Sequence, residues 1–295
     1  MTLPAGATDP RRVGGGDLNE AWRVTLADGS TAFVKTRADA RPGEYALEAT
    51  QLAWLGEPGA VRVPAVLEVD DRYLVLEWVE PGRLDDAGAQ ELGRGLARIH
   101  AAGAPCFGNM GRASAGGSGG DGGVVGSGEA QAPATFGSLQ LPNDPMADWA
   151  SFYRERRLLP LAKLAHDRRA LSPGALHALE RVCERVEELA GPAEPPARLH
   201  GDLWAGNVHA DARGHPWLID PSAYGGHREI DLAMLRLFGT PSAHVFAAYE
   251  ELTPLADGWE QRVQLWQLLP LLVHALLFGG SYGAAVEQIA RHYGR

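Results

Sequence analysis

Three aspartates, an asparagine and three histidines crowd the segment from His200 to Asp220. Its first part reads His200-Gly201-Asp202-Leu203-Trp204-Ala205-Gly206-Asn207, a His-x-Asp-x-x-x-x-Asn pattern with Gly201 where arginine often stands. Its second part, Trp217-Leu218-Ile219-Asp220, is an apolar strand that ends on an aspartate. Such a set suits the transfer of a phosphoryl group from ATP to a hydroxyl. Asp202 would take the proton of the attacking hydroxyl. Asn207 would reach a metal through its amide oxygen, and Asp220 would bridge Mg2+ to the β- and γ-phosphates. This chemistry asks mainly for positioning and charge neutralisation, so acids, an amide and a lysine suffice. The lysine is Lys35, at the end of the apolar run Phe33-Val34-Lys35. Glu48 shares a helical face with Leu52 and Leu55, and a carboxylate on an apolar face is costly without a partner. Lys35 is the expected cation, aimed at the α- and β-phosphates, with Glu44 as the rival partner one turn earlier.

Each residue also has a plainer reading. Asp202 could cap a helix, and Asp220 could open a turn before Pro221. All five in this order are much harder to obtain by accident. A different chemistry, two-metal hydrolysis by His200, Asp202, His209, Asp211, His215 and Asp220, lacks a helical HExxH or a compact ligand cluster. His209, Asp211 and His215 read better as decoration of a hairpin around Ala212-Arg213-Gly214. Gly14, Gly15 and Gly16 would let backbone amides approach phosphate oxygens, though a bare turn explains them equally well. They lead into a strand, so they are not a dinucleotide fingerprint.

The elements that must hold these groups follow from the pattern. Ala21 to Leu26 and Thr31 to Thr36 read as strands joined by Ala27-Asp28-Gly29-Ser30, a hairpin signal. Glu44 to Leu55 reads as a helix stopped by Gly56 and Pro58, and Ala65 to Val69 and Tyr73 to Val79 as two more strands. Beyond Glu80-Pro81-Gly82 the chain turns helical: Asp85 to Ala102, Asp148 to Leu159 and Gly174 to Leu189. Residues 1–80 are therefore expected to form a small nucleotide-binding lobe and 81–295 a larger helical lobe, with the ligand cleft between lobes. Gly111 to Ala134 is rich in glycine, serine and alanine and is expected to be a mobile surface insertion.

Composition bounds the rest. The 295 residues carry 27 Lys and Arg against 37 Asp and Glu, a net charge of −10, so the basic footprint of a nucleic-acid binder is missing. Two cysteines, Cys106 and Cys183, make no disulfide framework and suit a reducing cytoplasm. Met1 to Pro10 shows no basic patch followed by an apolar run, so no signal peptide is expected. Val263 to Phe278, interrupted by Gln264, Gln267, Pro270 and His274, is expected to be a buried core helix rather than a membrane span.

From about Val13 to Tyr282 the sequence resembles the fructosamine/ketosamine kinase family, within the aminoglycoside-phosphotransferase-like, protein-kinase-like superfamily. The most specific stretches are His200 to Asn207 and Ile219-Asp220-Pro221-Ser222-Ala223-Tyr224-Gly225-Gly226-His227-Arg228-Glu229-Ile230-Asp231. Trp149 to Leu158 and Leu276 to Tyr282 also look like this family. The resemblance implies an α+β, two-lobed kinase fold and ATP-dependent phosphorylation of the third-carbon hydroxyl of a ketosamine, either a small molecule or a glycated protein lysine. The phosphorylated adduct then falls off, which repairs the glycation. By the same resemblance, Glu77 and Val79 lie on the interlobe hinge whose backbone binds adenine. Trp204, Tyr224, His227 and Glu229 lie beside the acceptor, and Asp231 braces the catalytic loop. The sequence departs from the family at Asp17, where some relatives carry a redox-active cysteine, so no thiol switch is expected there. It also departs at Phe136-Gly137-Ser138-Leu139-Gln140-Leu141-Pro142-Asn143, preceded here by the glycine-rich insertion. A kinase for an aminoglycoside or amino alcohol, and a nucleotide-binding protein without turnover, are the alternatives. Retention of Asp202, Asn207 and Asp220 speaks against the second of these.

Overall fold

Period-two alternation in Thr31–Thr36 and a helix that buries one face supply the frame on which the lysine sits. The computed structural model describes residues 2–14, 19–110, 133–239 and 242–295. Gly15, Gly16, Asp17 and nearly all of the glycine-rich insertion lie outside the described residues. The chain begins with β1 (Thr8–Val13), β2 (Glu20–Thr25), β3 (Thr31–Thr36), α1 (Glu44–Gly56), β4 (Val66–Asp70), β5 (Tyr73–Glu77) and α2 (Asp86–Ala101). It continues through β6 (Ala134–Phe136), β7 (Leu139–Leu141), α3 (Trp149–Phe152), a π-helical turn (Tyr153–Leu158), α4 (Leu159–Asp167) and α5 (Pro173–Leu189). Then come β8 (Ala197–Leu199), a 3-10 turn (Ala205–Asn207), β9 (Val208–Ala210), β10 (Pro216–Leu218) and β11 (Tyr224–Gly226). The last helices are α6 (Glu229–Leu235), α7 (His244–Glu250), α8 (Trp259–Phe278) and α9 (Tyr282–Tyr293).

Two compact units emerge, and both are discontinuous. The first comprises Met1–Ile99, Leu203–Pro221 and Thr240–Thr253; the second His100–Asp202, Ser222–Gly239 and Pro254–Arg295. This partition by contact differs from the division drawn on the sequence at residue 80, because stretches remote in sequence pack back into the first unit.

The first unit is built on an antiparallel five-stranded sheet in the order β1-β2-β3-β5-β4. Side chains alternate across a strand, so Ala32 and Val34 pack with Val24, Tyr73 and Val75 on one face. Phe33 and Lys35 take the other face, directly across from Leu76 and Leu74 of β5. There α1 lays down Tyr45 and Leu52 against Leu74 and Leu76. The expected hairpin forms: Asp28 accepts from the Ser30 backbone N–H at 2.9 Å, and the Leu26 N–H donates to the Ser30 carbonyl at 2.8 Å. Strand β1 was not expected. It carries Pro10, is mostly exposed, and pairs with β2 through an irregularity between Thr8 and Arg11, which is how a proline survives on a sheet edge. The β9–β10 hairpin and α7 complete this unit.

The second unit is mainly helical. In α5, Ser172 caps the N-terminus, its hydroxyl accepting from the Ala175 N–H at 3.0 Å with Pro173 in the first turn. Helix α8 buries Leu265, Trp266, Leu268, Leu269 and Leu272, as the expected core helix should, but starts earlier, at Trp259. Asp148 caps the run from Trp149, accepting from the Ser151 N–H at 2.8 Å. Ala134, assigned to the insertion by composition, is instead a buried residue of β6, because Ala134, Phe136, Leu139 and Leu141 pack into this core. Cys106 and Cys183 are free thiols, and burial pushes the Cys183 thiol up to about 12. Among the described residues no helix is long and apolar enough to cross a membrane.

Candidate active site

The alternation that turns Phe33 to the α1 side also sends Lys35 there, where it is only 8% exposed. Its ammonium lies 3.0 and 2.8 Å from the two carboxylate oxygens of Glu48, and 2.8 Å from Oδ1 of Asp220. Glu44, the rival partner, is taken instead by Arg37 at 2.9 Å and Arg41 at 3.3 Å. Burial alone would lower the Lys35 ammonium, but the Asp220 and Glu48 carboxylates outweigh it and hold it above its ordinary value. Lys35 is thus a fixed cation.

Asp220 reaches Lys35 because its backbone turns left-handed, with φ at 53°. Among side-chain-bearing residues, aspartate and asparagine tolerate that conformation best, and the strain is of the kind that gathers at functional sites. Asn207 is tied to the same strand end. Its amide Nδ2 donates to the Asp220 carbonyl at 3.4 Å, and the Ile219 N–H donates to the Asn207 carbonyl at 3.1 Å. Asn207 is buried, while the Asp220 side chain is 38% exposed. A carboxylate and an amide oxygen are hard donors of the kind Mg2+ prefers when substrate phosphates complete its shell.

Asp202 belongs to the second unit, where its loop is held from behind. The backbone N–H groups of His200 and Gly201 donate to the two oxygens of Asp231, at 2.7 and 2.9 Å, and His100 Nε2 lies 3.3 Å from the same carboxylate. This is the brace expected of Asp231. Gly201 has φ at +82°, and a Cβ there would sit 2.1 Å from the Ser222 carbonyl oxygen, so the position expected for arginine admits glycine alone. The Asp202 N–H donates to His200 Nδ1 at 3.3 Å, which orients the half-buried Asp202.

The remaining expected residues fall into three groups. Gly14 is exposed, and no atom lies within 4 Å of the Cβ it lacks. Glu77 ends β5, its N–H donating to the Ala65 carbonyl at 2.8 Å, and Val79 follows two residues on. Trp204 is 39% exposed with its indole lying over Gly206. Tyr224, His227 and Glu229 are all core residues. The Tyr224 ring stacks on Phe152 at 6.0 Å and under the Arg157 guanidinium at 4.4 Å. His227 lies between Trp266 and Trp149, and burial lowers its pKa. Glu229 is held by Arg262 at 2.6 Å and Trp266 Nε1 at 2.7 Å. A direct touch on an acceptor, expected of these three, does not fit side chains that are between 0 and 2% exposed.

The hairpin histidines have other partners. His215 Nδ1 lies 2.8 Å from Glu91, and Asp211 is occupied by its own hairpin, accepting from Arg213 N and His215 N at 2.9 and 3.0 Å. Among the described residues no group of three His, Cys, Asp or Glu gathers to hold a metal, which leaves two-metal hydrolysis without a ligand set. Sequence reasoning missed one contact in this region. His209 Nε2 reaches the Val79 carbonyl oxygen at 3.2 Å, across a separation of 130 residues that no local pattern signals.

Known proteins match this chain over nearly its whole length. The fructosamine kinase family model matches residues 3–116 and 130–293. A "Probable ketoamine kinase" of Thermus thermophilus is 37% identical over 272 residues, covering 92% of this chain and 89% of that protein. A "putative fructosamine-3-kinase" of Thermobifida fusca superposes with a TM-score of 0.84 at 40% identity, covering 97% of this chain and 93% of the other. A choline kinase from Streptococcus pneumoniae superposes at 0.61 with 14% identity over 98% and 94% of the two chains, a likeness of fold alone. The fold is therefore α+β and protein-kinase-like, and the chain belongs to the fructosamine kinase family.

Proposed function

We propose that the protein transfers the γ-phosphoryl group of ATP to the third-carbon hydroxyl of a ketosamine. The observation that carries the reading is Lys35 held at 2.8 Å from both Glu48 and Asp220. Glu48 fixes the ammonium where it meets the α- and β-phosphates, and Gly14, Gly15 and Gly16 are the glycines assigned to the phosphate oxygens. Adenine sits against the backbone of Glu77 and Val79, so residues 1–80 serve as the nucleotide lobe. Asn207 and Asp220 would hold Mg2+, which would supply neutralisation of the phosphate charge. Asp202 accepts the proton of the attacking hydroxyl while the bond from the β,γ-bridging oxygen to the γ-phosphorus breaks and a new bond from phosphorus to the acceptor oxygen forms. Asp231 supports Asp202 through the backbone of His200 and Gly201. Trp204 offers an exposed ring to the acceptor. The acceptor is a fructosamine or ribulosamine, free or on a glycated protein lysine, and the reaction belongs to cytoplasmic repair of glycation.

The test is direct. The protein is incubated with ATP, Mg2+ and a panel of ribulosamine, fructosamine and aminoglycoside acceptors, and phosphorus NMR locates the phosphate. Phosphate on the third carbon of a ketosamine is expected. Transfer to aminoglycosides alone would overturn the acceptor assignment, and no transfer to any member would favour binding without turnover.

A further inference from the structure

We infer that His209 is a positioning residue for the nucleobase and sets the preference for adenine. The inference rests on the reading that the Glu77 and Val79 backbone receives adenine, and it names a side chain on which that backbone depends. Past β5, the chain from Val79 to Gly82 is laid along β9. Val79 gives its carbonyl oxygen to His209 Nε2 at 3.2 Å, and the Gly82 N–H donates to the Ala210 carbonyl at 2.8 Å. Pro81 forms an isolated antiparallel bridge with Asp211. A Cβ on Gly82 would stand 2.0 Å from the Asp211 carbonyl oxygen, so the two backbones are in close contact.

Two of these ties are backbone groups that any sequence would supply. The third is a side chain, and it holds a residue whose backbone is assigned to the base. With a carbonyl as its partner, His209 must carry its proton on Nε2. A donor on the Val79 carbonyl ties the Val79–Glu80 peptide to β9 and sets the imidazole beside the backbone assigned to the base. β9 starts directly after Asn207, so the same histidine links the base-reading segment to the proposed magnesium ligand. Losing this tie should blur recognition of the base while sparing the phosphate contacts of Lys35.

The experiment compares ATP with inosine triphosphate, whose base replaces the 6-amino group and the N1 acceptor of adenine with a carbonyl and an N1–H. Dissociation constants are measured with Mg2+ by calorimetry on the full chain, for wild type, His209→Leu and His209→Gln, so no acceptor is needed. Wild type should prefer ATP. His209→Leu should weaken ATP binding about 2- to 10-fold, the worth of one hydrogen bond, and should shrink the ATP-to-inosine ratio by a similar factor. His209→Gln, which keeps a donor of similar reach, should restore most of that ratio. An unchanged ratio in His209→Leu, beside a wild-type preference for ATP, would reduce His209 to a structural tie and leave the adenine assignment standing. Equal affinity of wild type for both nucleotides would overturn the adenine assignment itself, and this inference with it. If His209→Leu does not fold, His209→Ala carries the same comparison.

Discussion

In the proposed reaction Asp202 and Lys35 have opposite duties, and their substitutions should separate cleanly. Asp202→Asn keeps the shape of the loop, since the brace from Asp231 runs through the backbone of His200 and Gly201. It should bind ATP with unchanged affinity by calorimetry and lose about 10²- to 10⁴-fold in kcat, the range for a removed general base. Full turnover in that variant would dismiss Asp202 as the base. For Lys35 the sign of the pH dependence follows from its raised pKa. The folded ammonium holds its proton more tightly than the unfolded one. The pairing therefore contributes fully below the unfolded value of about 10.4 and declines only as pH climbs toward the higher folded value. Urea melts of wild type and Lys35→Met should differ by a constant amount from pH 6 to 9, with the gap closing above about pH 10.4. A gap that closes near pH 8 would contradict the doubly paired lysine. Both residues were legible in the sequence, for different reasons. Asp202, Asn207 and Asp220 share one short segment whose spacing is itself the signal. Glu48 stood out because it sat at i−4 and i−7 from two leucines, where a carboxylate needs a cation. Tyr224, His227 and Glu229 gave no such cue: their segment has too little periodicity to reveal burial, and only packing against Trp149, Phe152 and Trp266 shows it.

Helix α1 works as a lever arm for Glu48, and its hold on the sheet is apolar. Leu52, one turn beyond Glu48, is 1% exposed and packs with Tyr45, Leu74 and Leu76. Leu52→Ala should cost about 2–5 kcal/mol of stability, as buried leucine truncations do. It should also raise the KM for ATP, because loosening α1 displaces Glu48 from Lys35. Denaturant melts and ATP kinetics read the two effects together, and a destabilised variant with wild-type KM would uncouple the helix from the site. Element by element, the sequence was readable where burial falls on one face. Strands β2, β3 and β5, helices α1, α2 and α5, and the capped start of α3 all carry alternation, helical spacing or a cap. Strand β1, with exposed side chains around a proline, has none of these. The residues 134–141 hairpin was hidden because it directly follows a long glycine-rich stretch, and its alternating Ala134, Phe136, Leu139 and Leu141 are too few for a periodic signal.

Across the whole molecule, connectivity governs what ligand binding can stabilise. The chain passes between its two units after residues 99, 202, 221, 239 and 253, so neither unit is a continuous piece of sequence. Asp202 ends a segment of the second unit, while Asn207 and Asp220 belong to the segment of the first unit that runs from Leu203 to Pro221. This topology was not legible from composition, which places a boundary where strands give way to helices and cannot see residues 203–221 and 240–253 returning to the first unit. A nucleotide that engages Lys35 and, through Mg2+, Asn207 and Asp220 fastens residues from two of the three segments of the first unit. At a hundred times its dissociation constant, a ligand that binds only the folded state stabilises it by about 2.7 kcal/mol. ATP with Mg2+ should therefore raise the melting temperature of the main transition by several degrees in scanning calorimetry, and chelating the metal should remove most of that rise. Asp220→Asn should show little difference between ATP with and without Mg2+. Equal stabilisation by ATP in wild type with and without the metal would mean that Asn207 and Asp220 do not hold it, and the proposed geometry of phosphoryl transfer would lose its cation.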